Sequence, residues 1–153
     1  MAEKLKYDGT AVWFIDSERQ KTFHFSEAVD KFKTVLFHRK DKPVEWKSFE
    51  DLKEYRIGLT HGYSYGDRFH AAEKKYGLKI DISPTDTLGF KKLLKGRIDL
   101  LACDLGVGYW ILNNEFPASQ RSLVTNDPNV LVENTVHFIA PKAQKDSLDK
   151  VNT

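Results

Sequence analysis

The alternation of apolar and polar positions predicts that strands and helices follow one another along most of the chain. Short apolar or alternating runs are typical of strands, and apolar positions three or four residues apart indicate helices with one buried face. Strands are predicted over residues 10–15, 23–25, 34–39, 56–60, 78–82, 98–103 and 135–140. Helices are predicted over residues 49–54, 64–76, 84–95 and 106–112.

Some segments carry further structural expectations. The buried face of the helix that begins at Pro84 is expected to consist of Leu88, Leu93 and Leu94. Residues 16–21 are polar and predict a link without regular structure. Residues 115–129 contain two prolines and predict an irregular segment on the surface.

The order of elements between residues 56 and 112 predicts an α/β fold. Strand and helix alternate three times in this region, which indicates parallel strands joined by right-handed crossovers. In open α/β sheets, ligands bind beyond the carboxyl ends of the strands. The glycine-rich turn after Thr60 and the acid at Asp104 each follow a predicted strand, so we expect both at one crevice that holds a small molecule.

Composition and charge narrow the classes of partner. The chain has 153 residues, of which 41% are hydrophobic, enough for the core of one domain or of two small lobes. Its 24 Lys and Arg residues are scattered and nearly balanced by 22 Asp and Glu, which argues against a nucleic-acid partner. No run reaches the roughly 18 apolar residues of a membrane span, and the first residues lack the apolar core of a signal peptide.

The potential metal-ligating residues argue against a metal site. The single cysteine, Cys103, excludes an internal disulfide and a multi-cysteine metal site. It lies in an apolar run and is predicted to be a small core residue. The five histidines show no close metal-ligand spacing, so neither a metal nor a cofactor is expected.

Five segments together resemble extracellular solute-binding protein family 3, the substrate-binding components of polar amino-acid ABC importers. The segments are 16–19 with 25–27, 35–40, 52–66, 94–99 and 136–142, in the family's order over nearly the whole chain. The resemblance implies the type 2 periplasmic-binding clamshell, with one complete α/β lobe that has a parallel-type sheet. It also implies an incomplete second lobe and two hinge strands that join the lobes.

The resemblance also implies lobe boundaries. Residues 1–39 and 137–153 are expected in the first lobe, and residues 40–136 in the second. The family's opening and closing elements have no counterpart at the two ends of this sequence. Two interpretations follow, a fragment or a lobe that a second copy completes by exchanging elements in a domain-swapped homodimer.

The resemblance assigns a ligand site to six residues. An arginine would pair with the solute's α-carboxylate through its planar guanidinium fork. A glycine, a tyrosine and a serine would supply backbone N–H groups and a hydroxyl at a helix N-terminus. An aspartate at a strand end would receive the ammonium group, and a threonine is the weakest candidate. In that order, these residues are Arg19, Gly62, Tyr63, Ser64, Asp104 and Thr85.

Two alternatives stay open for this site. Ser64 and Asp104 are also typical helix caps, and an arginine beside a loop is commonly a surface residue. The family often has small hydroxyl residues where this chain has Ala11, Val12 and Phe14. A less polar or differently charged solute is therefore an alternative to an amino acid.

The function that the resemblance implies is binding without catalysis. The protein would capture a small polar solute, an amino acid or a related compound, in the periplasm. It would then deliver this solute to the membrane subunits of an ABC transporter. One alternative is a ligand-sensing clamshell domain of a receptor or regulator. A carboxylic-acid dehydratase on the same fold is a weaker one, as is a nucleophile and base formed by Cys103 and His61.

Overall fold

The computed structural model describes the backbone of residues 10–14 and 17–141 and the side chains of residues 17–18 and 20–139. Its strands are β1 (Thr10–Phe14), β2 (Phe23–Phe25), β3 (Asp30–Arg39), β4 (Arg56–Thr60), β5 (Lys79–Ser83), β6 (Leu100–Asp104) and β7 (Val124–Pro141). Its α-helices are α1 (Ser17–Thr22), α2 (Asp67–Tyr76), α3 (Asp86–Leu94), α4 (Leu105–Glu115) and α5 (Ala118–Arg121), and a 3₁₀ helix covers Phe49–Glu54.

The chain divides into two compact units. Unit 1 consists of Met1–Phe32 and Glu133–Thr153, and unit 2 consists of Lys33–Val132. Strands β3 and β7 each begin in one unit and end in the other.

In unit 1, both β1 and β2 pair antiparallel with the last part of β7. A buried histidine, His137, anchors this end of β7. Its Nδ1 lies 2.8 Å from the Ser26 carbonyl oxygen, and its Nε2 lies 2.6 Å from the Thr135 hydroxyl. Because both ring nitrogens have partners, the buried imidazole satisfies its polar groups within the unit.

In unit 2, β4 occupies the middle of a parallel group of strands. It pairs in parallel with β5 on one edge, where Thr60 is opposite Ser83, and with β6 on the other, where Ile57 is opposite Leu100. Strand β3 pairs antiparallel with the far edge of β6. The parallel strands predicted from the order of elements are therefore confirmed.

Both faces of this sheet are buried, as parallel sheets require. Leu101 and Cys103 of β6 pack in a cluster with side chains of α3 and α4. Their neighbours Leu100 and Ala102 point to the opposite face, where the cluster includes side chains of the 3₁₀ helix and α2. Alternate side chains of β6 therefore pack into two separate hydrophobic clusters, one on each face of the sheet. Cys103 is only 2% exposed, so it is a core residue, as predicted.

Two segments predicted to be irregular contain regular structure. The polar link predicted over residues 16–21 is largely the helix α1, and the segment 115–129 contains α5 and the start of β7. Contacts with distant residues explain the second difference. The buried Asp127 accepts a hydrogen bond from Trp46 Nε1 at 3.1 Å. Tertiary pairing of this kind overrides the weak strand propensity of a proline-containing segment.

One glycine of α4 allows that helix to approach the sheet. Gly108 lies against the fully buried ring of Phe37, and a Cβ at this position would overlap the ring. Gly106 lies two residues earlier in the same helix, and a Cβ there would meet only Asp104 Oδ1, at 3.4 Å. Both glycines therefore belong to α4, but only Gly108 lacks space for a Cβ.

We expect Gly108→Ala to lower the free energy of unfolding by roughly 1–3 kcal/mol, because an extra methyl group overpacks the core against Phe37. Gly106→Ala is the matched control, since both substitutions receive the same gain in helix propensity. Chemical denaturation of the two variants measures the difference. Equal midpoints for Gly106→Ala and Gly108→Ala would contradict this packing.

Candidate functional site

The carboxyl ends of β4, β5 and β6 form one edge of the sheet in unit 2. From β4 the chain moves outward to β5 and then crosses to β6 on the other side of β4. Helices α2 and α3, which make these crossovers, pack on opposite faces. The crevice at such a topological switch point is where open α/β sheets bind ligands. The sequence-predicted residues of unit 2 at this edge are Gly62, Tyr63, Ser64, Thr85 and Asp104.

A tight turn follows β4 at this edge. Gly62 has a φ of 82°, a left-handed conformation that favours glycine, and the Tyr63 amide donates back to the Thr60 carbonyl oxygen at 3.4 Å. The Gly62 and Ser64 amides donate no hydrogen bond to any described residue. The turn thus presents two backbone donors for which the described fold supplies no partner.

The position of this turn corrects one expectation. Helix α2 begins at Asp67, and its N-cap is Gly66, with a φ of 85°. Residues 62–64 therefore lie in the loop before the helix rather than at its N-terminus, and Ser64 is not a cap. The reason is local: the left-handed Gly66 interrupts the helical spacing that Tyr65 and Phe69 suggest.

Thr85 and Asp104 both cap helices. Thr85 Oγ1 accepts a hydrogen bond from the Leu88 amide at 3.2 Å at the start of α3. Asp104 Oδ1 accepts from the Val107 amide at 2.9 Å at the start of α4. The second carboxylate oxygen of Asp104 makes no hydrogen bond within the described residues. Asp104 therefore caps α4 through one carboxylate oxygen, and its other oxygen can accept a hydrogen bond from a ligand.

Asp86 is the residue at this edge that sequence reasoning missed. It begins α3, is only 5% exposed, and its Oδ1 accepts a 2.5 Å hydrogen bond from the Thr60 hydroxyl. The buried face of α3 is Asp86, Gly89, Phe90 and Leu93. Leu88, predicted for that face, is instead 40% exposed. The spacing of 0, 3, 4 and 7 residues from Asp86 was the signal that could have identified it.

The titratable groups near Asp86 experience its negative charge. Partial burial, followed by the charge of Asp86 and a hydrogen bond to it, raises the pKa of Tyr63. Burial raises the pKa of Tyr65 to about 12, and Asp86 adds to the effect. Burial also raises the pKa of the Cys103 thiol, with further contributions from Asp86 and Asp104. A thiol of this kind stays protonated at neutral pH and is a poor nucleophile.

Arg19 lies in α1 of unit 1, and its side chain is outside the described part of the structure. Its role at a ligand carboxylate therefore remains a prediction. Within the described residues, no group of three His, Cys, Asp or Glu side chains is arranged to hold a metal ion. None of the described helices combines the length and the hydropathy of a membrane span.

A separate cleft of about 700 Å³ opens elsewhere in unit 2. Its walls include the aromatic rings of Trp46, Phe49 and Tyr76 and the side chain of Arg68. Trp46 and Phe49 are stacked with ring centroids 6.3 Å apart. None of the sequence-predicted site residues lines this cleft.

Comparison with solved structures shows which fold this is. Holo ArgBP from T. maritima is similar with a TM-score of 0.75 and 22% identity, over 99% of this chain and 63% of that chain. An ancestral arginine-binding protein bound to arginine gives a TM-score of 0.78 and 22% identity, over 99% of this chain and 65% of its own. A histidine kinase sensor domain with similarity to periplasmic binding proteins gives a TM-score of 0.78 and 16% identity, over 99% of this chain and 63% of its own.

These likenesses confirm the predicted fold class. The chain has a mixed α/β fold of the periplasmic-binding-protein type, and it spans less than two thirds of the length of these structures. No protein-family model and no curated protein matches the sequence significantly. At 16–22% identity the likeness shows the fold, and membership of a particular family remains a prediction.

We expect Asp104→Ala to lower the free energy of unfolding by about 1 kcal/mol, because α4 loses its side-chain cap. Asp104→Asn should remain close to the original stability, since asparagine caps helices as well as aspartate does. Urea denaturation of both variants measures this. A loss for Asp104→Asn as large as that for Asp104→Ala would show that the charge, and not the cap, stabilises the helix.

Proposed function

We propose that this chain binds a small polar solute, an amino acid or a related compound, and presents it to an ABC-type membrane transporter in the periplasm. One observation carries the proposal. At the carboxyl edge of three parallel strands, the turn at Gly62 and the carboxylate of Asp104 offer donors and an acceptor without partners in the described residues. Groups of opposite hydrogen-bonding character on one edge suit a ligand that carries both an acid and an amine.

The proposed roles follow from the chemistry of each group. The amides of Gly62 and Ser64 would bind carboxylate oxygens, as unpaired backbone N–H groups commonly do. The free oxygen of Asp104 would accept from the ammonium group through a charge-assisted hydrogen bond. Arg19 keeps its predicted role at the carboxylate, and Thr85 stays a weaker candidate because its hydroxyl already caps α3.

The names of the similar structures support amino-acid binding in general. They include arginine-binding proteins and the substrate-binding protein of an amino acid ABC transporter, which gives a TM-score of 0.75 at 22% identity. We propose no catalytic step, and the protonated, buried Cys103 supports this choice. The membrane subunits of a transporter and a second, domain-swapped copy are the proposed protein partners.

A sensory role is the second candidate, favoured by the similar histidine kinase sensor domain. Both candidates require solute binding, and they differ in what binding does. A transporter component is needed for uptake, so cells without it would no longer accumulate the solute. Cells without a sensor would take up the solute normally and lose a response to it.

A thermal-shift screen of amino acids and small carboxylates tests the binding common to both roles. A solute that binds only the native state at about 100 times its dissociation constant stabilises it by about 2.7 kcal/mol, which raises the melting temperature. We expect at least one amino acid to do so. We expect Asp104→Asn to weaken that effect while its own stability is maintained, because the substitution preserves the cap and removes the charge.

Glu50→Gln is the matched control for this screen. It also removes one negative charge, from an exposed pair with Lys53 on the 3₁₀ helix, and should leave the ligand-induced shift unchanged. A screen in which no compound raises the melting temperature would contradict the proposed function. Equal shifts for Asp104→Asn and the unmodified chain would remove Asp104 from the site.

A further inference from the structure

The carboxyl edge of unit 2 concentrates negative charge. Each of the three helices that follow β4, β5 and β6 begins with an acidic residue, Asp67 in α2, Asp86 in α3 and the N-cap Asp104 in α4. None of the three forms an ion pair with a described basic side chain. Lys92, one of the two lysines of α3, is paired with Asp81 instead.

The helix dipoles reduce this charge and do not cancel it. A helix N-terminus carries about half a positive elementary charge, against a full negative charge on each carboxylate. Each helix start therefore keeps a net negative charge. The pKa values of Tyr63 and Cys103 are both raised by burial first and then by Asp86, which agrees with a negative potential at this edge.

A buried hydroxyl without a partner lies on the same side of the sheet. Ser83 is fully buried, and its Oγ has no hydrogen-bond partner among the described residues. Ser83 is opposite Thr60 in the parallel ladder, so their side chains lie on the face where Thr60 donates to Asp86. A buried hydroxyl oxygen left unpaired is unfavourable, so the face that holds Asp86 carries an unsatisfied polar atom as well as a negative charge.

The exposed aromatic ring at this edge also suits a cation. Tyr63 is 55% exposed, and the charge of Asp86 and a hydrogen bond to it act on its hydroxyl. The face of a tyrosine ring attracts ammonium and guanidinium groups. The Asp86 carboxylate, which acts on the hydroxyl of the same ring, strengthens that attraction because it adds to the negative potential that the cation meets.

From these observations, and on the basis of the proposed function, we propose that this edge selects solutes of net positive charge and that Asp86 is a specificity-determining residue for this choice. Asp104 contacts the cationic solute directly. Asp86, which accepts a hydrogen bond from Thr60 and acts on the Tyr63 hydroxyl, supplies the second negative charge. An acidic solute would face both carboxylates and is disfavoured by repulsion.

Pairs of solutes that differ only in charge test the proposal. Dissociation constants are measured by titration calorimetry for L-arginine against L-citrulline and for L-lysine against Nε-acetyl-L-lysine. We expect the dissociation constant of the cationic member to be at least about tenfold lower in at least one pair, which corresponds to about 1.4 kcal/mol of binding free energy. Binding of all four solutes is measured at one pH of about 8, so that protonation of histidines does not differ between the titrations.

Asp86→Asn is the decisive variant, because its side-chain oxygen can still accept from Thr60 while the charge is removed. We expect the cationic preference to fall to within about twofold of unity, and Glu50→Gln to retain the full preference. Circular dichroism shows whether Asp86→Asn folds. If it does not fold, Asp86→Ser replaces it, since a serine hydroxyl can also accept a hydrogen bond and carries no charge, and the same loss of preference is expected.

The outcomes separate this inference from the proposed function. If a solute binds and its affinity is independent of charge, or if Asp86→Asn keeps the preference, the proposed function stands and the role of Asp86 is wrong. If none of the solutes in the pairs or in the wider screen binds, the proposed function fails and the selectivity fails with it.

A second measurement does not depend on any ligand. The phenol of Tyr63 is titrated by ultraviolet absorbance as the difference between the unmodified chain and Tyr63→Phe. Removing the Asp86 charge should lower the pKa of that phenol, because ionisation no longer places two negative charges together. An unchanged Tyr63 pKa in Asp86→Asn would overturn the electrostatic basis of the proposal.

Discussion

The parallel pairing of β4 with β5 on one edge and β6 on the other is the constraint on which the rest of unit 2 depends. Parallel neighbours cannot be joined by a hairpin, so each connection must cross a face of the sheet. Helix α2 makes the first crossover and α3 the second, on opposite faces. The three carboxyl ends then meet at a single edge, where the candidate site lies.

Close packing on both faces makes this arrangement specific. Gly58 in the middle strand has no room for a side chain, because a Cβ would overlap Ile98 and lie 3.2 Å from Leu101 Cδ1. A Cβ on Gly89 of α3 would lie even closer to this side chain, 2.6 Å from Leu101 Cδ1. Small residues at these points let the crossover helix lie directly on the sheet. This contact in turn holds Asp86, at the start of α3, within hydrogen-bond distance of Thr60, the last residue of β4.

Buried and half-buried polar groups at the edge combine structural and functional roles. Asp104 uses one oxygen to cap α4, and Thr85 uses its hydroxyl to cap α3. Such caps hold the loops in place and leave particular atoms unpaired, among them the second oxygen of Asp104. A structural interpretation and a binding interpretation of these residues are therefore compatible. The unpaired atoms, and not the residue types, distinguish an edge that can bind from one that is merely capped.

Local pattern determined much of this protein from its sequence. The alternation of strands and helices between residues 56 and 112 predicted the parallel sheet, and the apolar run before Asp104 predicted a buried β6. These features depend on neighbours along the chain, because periodicity follows from the geometry of a single helix or strand. The family resemblance, in the same way, predicted a fold that the similar solved structures confirm.

Tertiary structure decided what depends on residues far apart in sequence. The hydrogen bond between Thr60 and Asp86, the contact of Trp46 with Asp127 and the unpaired hydroxyl of Ser83 each require two or more elements to meet. A sequence pattern shows which face of a helix is buried, and it does not show what lies opposite. The burial of an acid at the start of α3 was therefore visible only after the sheet and its crossovers had brought that residue to Thr60.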